Sequence, residues 1–278
     1  ITQEIPEVDA VLGTTSYGDI VKALNEAQAG NVFQEFRDIN ELPEDSGRRV
    51  LTTGGHFGYL KIAEGCDKHC TYCIIPSLRG RFRSVPEERL LAQAEYMASQ
   101  GVKELILVAQ ETTVYGTDLY GKKTLHILLK KLCQIKGIRW IRVLYCYPEE
   151  IYDELVQVMK EEKKICNYLD LPIQHASDRI LKRMGRRTTR KQLEDIIAKL
   201  RREIPDIVLR TSLITGFPGE TQEDHEELME FVDEMEFDRL GVFTYSPEEG
   251  TPAETMEGQV PEEVKEERRD ELMSLQQE

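Results

Sequence analysis

Three cysteines stand close together, Cys66-x-x-x-Cys70-x-x-Cys73, in the run GCDKHCTYCIIP. Thiolates at that spacing can wrap one inorganic site, and iron–sulfur clusters are held by cysteine thiolates. A four-iron cluster on three cysteines leaves one iron without a protein ligand. Such an open position is where a metal centre takes up substrate or cofactor. Two other readings compete. Structural zinc would need a fourth ligand, for which His69 or His175 is available, and a disulfide would leave an odd thiol. Zinc sites usually come as paired knuckles and no second pair occurs, so the open iron–sulfur site ranks first. Cys133, Cys146 and Cys166 lack this spacing. Cys133 falls on a helical pattern and Cys166 ahead of a strand, so both read as buried structural thiols. Cys146 ends a strand and faces the expected site.

The elements that must position these thiols alternate regularly. Strand-like runs are Tyr59–Ala63, Glu104–Ala109, Trp140–Tyr145, Tyr168–Pro172, Ile207–Ile214 and Arg239–Thr244. Helical patterns at Glu87–Gln100, Leu125–Gln134, Glu149–Lys160, Ile180–Met184, Arg190–Glu203 and Gln222–Met235 separate them. Six such repeats predict parallel strands with helices outside, in a doubly wound sheet or an incomplete barrel. Each strand ends in chemically unusual residues: Glu64–Cys66, Gln110–Glu111, Tyr145–Tyr147, Gln174–His175, Thr215–Gly219 and Tyr245–Ser246. Six ends aimed at one place favour the C-terminal face of a partial (β/α)6 TIM-like barrel over residues 56–250. Ile1–Leu24 reads as a strand and helix ahead of it, residues 41–55 as a polar linker, and Pro261–Gln277 as one more acidic helix.

Cys-x3-Cys-x2-Cys on the first strand-loop of a six-unit α/β barrel resembles the radical S-adenosylmethionine (SAM) superfamily. The runs IAEGCDKHCTYCIIPSLRGRFRS (62–84), LDLPIQHASDRILKRMGRR (169–187) and RTSLITGFPGET (210–221) resemble its methylthiotransferases. Gln110-Glu111-Thr112-Thr113 and Gln174-His175-Ala176-Ser177 resemble the aspartate-directed, RimO-type branch. The tRNA-adenosine branch typically reads Gln-Asn-Val-Asn and Gln-Ser-Gly-Ser there. The resemblance implies a transferase that adds a methylthio group to the β-carbon of an aspartate in a small-subunit ribosomal protein. It implies a [4Fe-4S] cluster, SAM, a 5′-deoxyadenosyl radical and an external electron donor. Full-length members carry an N-terminal domain with a second cluster and a C-terminal RNA-binding-type β-domain. By that comparison residues 1–40 are the tail of the first domain, and 251–278 lead toward the second. A tRNA-directed enzyme of the same family, and a zinc-stabilised RNA- or protein-binding module without chemistry, are the alternatives.

The same resemblance suggests roles. Cys66, Cys70 and Cys73 are the cluster ligands. Tyr72 lies where an aromatic packs on adenine. Gln110 and Glu111 lie where acceptors receive the SAM ammonium, and a carboxylate or amide suits that donor. Arg210 is placed to bind the SAM carboxylate through its guanidinium fork. Gln174 and His175 are placed at the ribose or the substrate, and Gly216 where the backbone approaches the cofactor. Tyr245 and Ser246 would line the substrate mouth.

Composition bounds the rest. The 278 residues are 40% hydrophobic and 31% charged, an ordinary globular balance. No apolar run is long enough for a membrane span, and no signal peptide is evident. The expectation is a cytoplasmic monomer without membrane contact. The net charge of −15 argues against a general nucleic-acid coat. It conceals segregation by sign, however. Seven basic residues and no acid lie between Arg179 and Lys191, ten acids and no Lys or Arg lie between Phe217 and Asp238, and Arg79, Arg81 and Arg83 follow the cysteines. These basic segments predict a rim that meets ribosomal RNA.

Overall fold

The computed structural model describes residues 4–42 and 50–277. Residues 43–49, the middle of the expected linker, lie outside them, and the flanking 50–55 form neither helix nor strand.

Six strands make one parallel sheet in chain order: β1 (Phe57–Lys61), β2 (Glu104–Val108), β3 (Trp140–Val143), β4 (Ile165–Asp170), β5 (Val208–Thr215) and β6 (Arg239–Thr244). Each pairs with its sequence neighbour, and β1 and β6 are the two edges, so the barrel is partial and open between them. The connecting helices are α1 (Glu87–Ser99), α2 (Leu125–Cys133), α3 (Asp153–Glu161), α4 (Arg190–Glu203) and α5 (Gln222–Met235), with α6 (Glu262–Leu275) last.

Local chemistry explains the boundaries. Pro86 and Pro261 precede α1 and α6, and each helix opens with two glutamates that complement the positive end of the helix dipole. Thr189 with Gln192 and Thr221 with Asp224 form capping boxes that start α4 and α5. The period-2 pattern then sets the layers. Along β5, Leu209, Thr211, Leu213 and Thr215 are buried, whereas Arg210, Ser212 and Ile214 are half-buried. The first set faces the helices and the second the barrel interior. Leu60, Leu105, Leu107, Ile141, Leu169, Leu209 and Leu213 accordingly belong to one continuous core. Among the described residues no helix is long and apolar enough to cross a membrane.

Three expectations need correction. Pro148–Glu150 is a 3-10 turn and Tyr152 is extended, so α3 starts at Asp153 rather than Glu149. Cys166 lies inside β4, not ahead of it. The helix near the N-terminus runs through Ile20–Gln28, past the expected Leu24, and Ala10–Leu12 pairs in parallel with Phe33–Glu35, a strand too short to show a pattern.

Candidate functional site

The loop after β1 is tied at its base by a two-residue hairpin, Ala63–Glu64 against Arg83–Ser84. The chain crosses itself closely there. Gly65 has φ +77°, and a Cβ on it would lie 2.1 Å from the Arg81 carbonyl oxygen. The Cys66 N–H donates to Gly80 O (3.1 Å) and the Phe82 N–H to Asp67 Oδ1 (3.1 Å). The far end of the loop is pinned by Thr71. Its N–H donates to Met184 O (3.0 Å) and its hydroxyl to Arg183 O (2.8 Å), and its own carbonyl accepts from Ala253 N–H (2.9 Å). Gly185, at φ +72°, passes so near that a Cβ would meet His69 O at 2.6 Å.

Within this frame Cys66 and Cys70 are buried and Cys73 is part-exposed, and all three thiols are free. The Cys73 N–H donates to Cys70 O (3.1 Å), the Lys68 N–H points to Cys66 Sγ (3.4 Å), and the Tyr147 hydroxyl lies 3.6 Å from Cys70 Sγ. Burial pushes the Cys66 thiol up to about 11, and burial also raises Cys73. Among the described residues no three His, Cys, Asp or Glu side chains converge as the ligands of a single metal ion would. A cluster that takes one thiolate per iron does not ask for that convergence.

Gln110 and Glu111 follow β2 beside the loop. Glu111 Oε1 accepts from the N–H (2.9 Å) and the hydroxyl (2.5 Å) of Thr113, while Oε2 is buried without a partner. Burial pushes this carboxyl up to about 7. Gln110 Nε2 donates to Glu64 Oε1 (3.3 Å), and Gln110 Oε1 is likewise buried and unpartnered. Two buried acceptors therefore face no donor, an arrangement that suits a cationic N–H donor from a ligand.

The remaining expected residues are distributed differently. Arg210 points into the barrel and bonds Asp170 Oδ1 (2.5 Å), whose Oδ2 accepts from the Tyr145 N–H (3.3 Å). Tyr72 meets Phe217 edge-on at 6.4 Å, and Phe217 meets Tyr245 at 5.3 Å. Tyr245 is buried rather than lining a mouth. Gln174, at φ +73°, spends its backbone on Ser212 and Ile214. His175 is fully buried: Nδ1 accepts from the Ser177 N–H (3.0 Å) and Nε2 lies 3.5 Å from Glu220. The structure does not bring it to the open face. Gly216 is approached by the stem of Lys265.

The basic segment is largely neutralised in space. Arg179 binds Asp224, Lys191 binds Asp195, and Arg190 reaches Glu194, Glu227, Glu230 and Glu234. Arg183 donates to Pro218 O and Glu257 O, and Arg186 is buried. Charges segregated along the chain thus meet in space, Arg179 and Arg190 both reaching acids of α5. The site also gathers Lys68 and Glu150, which sequence reasoning passed over, with Glu64 and Tyr147 from the strand ends it singled out and Arg186 from the basic segment. The proline after Tyr147 and the two acids behind it were the available signal.

A chain-ordered parallel β/α sheet with three cysteines on the loop after its first strand defines the class. The description "Radical SAM superfamily" matches residues 60–232, and the chain belongs to that superfamily. Within it, the chain is 64% identical over 277 residues to the ribosomal protein uS12 methylthiotransferase RimO of Lachnoclostridium phytofermentans, covering 100% of this chain and 63% of the relative. It is 53% identical to the same-named protein of Clostridium botulinum, over 98% of this chain and 61% of that one. The chain therefore spans less than two thirds of the length of these relatives. The fold is also similar to the radical SAM methyltransferase TsrM of Kitasatospora setae, solved with cobalamin and a [4Fe-4S] cluster bound. There the TM-score is 0.57 at 17% identity, covering 71% of this chain and 38% of that one.

Proposed function

We propose that this chain is the radical SAM core of a RimO-type methylthiotransferase, which adds a methylthio group to the β-carbon of an aspartate in ribosomal protein uS12. The observation that carries this reading is the joining of three free cysteines on one backbone-pinned loop with two unpartnered buried acceptors, Gln110 Oε1 and Glu111 Oε2. Identity to proteins named ribosomal protein uS12 methylthiotransferase RimO supports uS12 as the substrate.

The residues present fit a [4Fe-4S] cluster and SAM. Cys66, Cys70 and Cys73 would hold the cluster. When bound, cluster and SAM together supply one-electron reductive cleavage of a sulfonium and a 5′-deoxyadenosyl radical. The chain's own work is binding and orientation. Cys66, held protonated by burial, must give up its proton when metal binds. Gln110 and Glu111 accept from the SAM ammonium. Arg210 offers its fork to the carboxylate while Asp170 fixes its angle. Tyr72, braced by Phe217, offers a ring to adenine. On this reading His175, buried beside Glu220, shapes the loop after β4, while Gln174 and Gly216 would lie along the cofactor.

Anaerobic reconstitution with iron and sulfide, then reduction with dithionite in the presence of SAM, tests the core of the reading. Release of 5′-deoxyadenosine and methionine is expected, and Cys70→Ala should abolish it. Uptake of zinc without iron, with no 5′-deoxyadenosine, would overturn the reading. The full-length protein, offered uS12 and tRNA in turn, is expected to modify uS12 alone.

A further inference from the structure

Tyr147 follows β3 and immediately precedes the Pro148–Glu150 turn. Its hydroxyl is 3.6 Å from Cys70 Sγ. Two cations lie over its ring, Arg186 at 4.2 Å and Lys68 at 5.0 Å from the centroid. The turn that carries Tyr147 also holds both cations in place: Glu149 lies 3.5 Å from Arg186, and Glu150 binds Lys68 and Lys123. Arg186 is the unusual member. Its side chain is 1% exposed and one nitrogen donates to Pro172 O (3.1 Å), yet Nε and Nη1 are buried with no partner. A buried guanidinium with unspent N–H groups is costly unless negative charge arrives beside it.

We propose that Tyr147 and Arg186 are positioning residues that tune the cluster held by Cys66, Cys70 and Cys73. The Tyr147 hydroxyl donates to the Cys70 sulfur, and the buried guanidinium over its ring stabilises the negative charge that reduction adds. The inference rests on the reading that these cysteines hold a cluster. Its physical basis is general. Reduction adds one electron to a cluster and three thiolates that are already negative. In a low-dielectric site a fixed cation and a hydrogen bond to a ligating sulfur both favour the reduced form, so both raise the reduction potential. Groups behind the ligands also fix ligand orientation. A cation over an aromatic face withdraws electron density from the ring, which makes the phenol a better donor. No atom is transferred. The electron comes from an external one-electron reductant, dithionite in the assay.

The test is a midpoint potential, read by EPR during anaerobic redox titration of the whole reconstituted chain without SAM. Tyr147→Phe keeps the ring and removes one oxygen. It should take up wild-type iron, and its midpoint should become more negative. Arg186→Gln should move the midpoint further the same way, and Arg186→Lys, which keeps the charge, should recover most of that shift. If Arg186→Gln takes up less iron, Tyr147→Phe and Arg186→Lys decide the question. Wild-type midpoints in fully loaded Tyr147→Phe and Arg186→Gln would overturn this inference alone. A wild-type chain that took up no iron would overturn the cluster reading and this inference with it.

Discussion

Lys265 lays its aliphatic stem across Gly216. A Cβ built on Gly216 would lie 2.2 Å from Lys265 Cγ, and the Lys265 ammonium goes on to donate to Tyr245 O (2.8 Å). Gly216 also has φ +71°, a conformation that side chains resist. Gly216→Ala should therefore cost about 2–4 kcal/mol, combining backbone strain and overpacking. Urea unfolding measures this. Adding Lys265→Ala should return the steric share and leave the backbone share. An unchanged unfolding midpoint for the single variant would contradict the contact.

Glu111 gives the metal-free protein a pH signature. Its carboxyl rises from an ordinary 4.5 to about 7 because burial disfavours the charge. A raised carboxyl pKa means that the folded state prefers the protonated form. Stability is then fully retained below about pH 4.5 and falls as pH rises toward about 7, by on the order of 3 kcal/mol in all. Denaturation of the metal-free chain across that range checks the slope, and Glu111→Gln should flatten it. A slope that survived in Glu111→Gln would assign it to another group.

Arg190 should matter little to RNA. Its guanidinium already meets four carboxylates, whereas among the described residues Lys182 and Arg187 have no ion pair. In filter binding to ribosomal subunits, Arg190→Ala should stay within about twofold of wild type. Its stability should fall by no more than about 1 kcal/mol, as for a half-exposed network. Lys182→Ala with Arg187→Ala should weaken any salt-dependent binding more. The reverse order would restore the basic rim in its original extent.

Five of the six thiols should separate by function. Cys133, buried on α2, and Cys166, part-exposed on β4, lie away from the loop. Cys133→Ala and Cys166→Ala should keep full iron content after reconstitution, at a cost of about 1–2 kcal/mol for the buried one. Cys66→Ala, Cys70→Ala or Cys73→Ala should lose it. Iron analysis alone decides this.

The barrel was legible because each strand hides one face under helices and turns the other toward the barrel interior, so both faces tend to be apolar, as in ELILV and WIRVLY. The cysteine loop was legible because its ligands are local in sequence. What escaped depends on distant partners. Nothing near His175 announces Glu220, which turns the ring inward. Nothing near Gly216 announces Lys265. The opposed charge blocks were visible, but sequence separation concealed that Arg179 and Arg190 lie within reach of α5. Arg186 looked like one more member of a basic run, and only its burial beside Tyr147 sets it apart.

The ties made by Thr71 also order events in time. The three thiols leave the ribosome before the partners that frame them. The partners that fix their loop are Arg183, 112 residues later, then Met184 and finally Ala253. Contacts so distant along the chain close late. The nascent chain must therefore extend at least as far as Ala253 before the loop that carries the thiols has all of these ties.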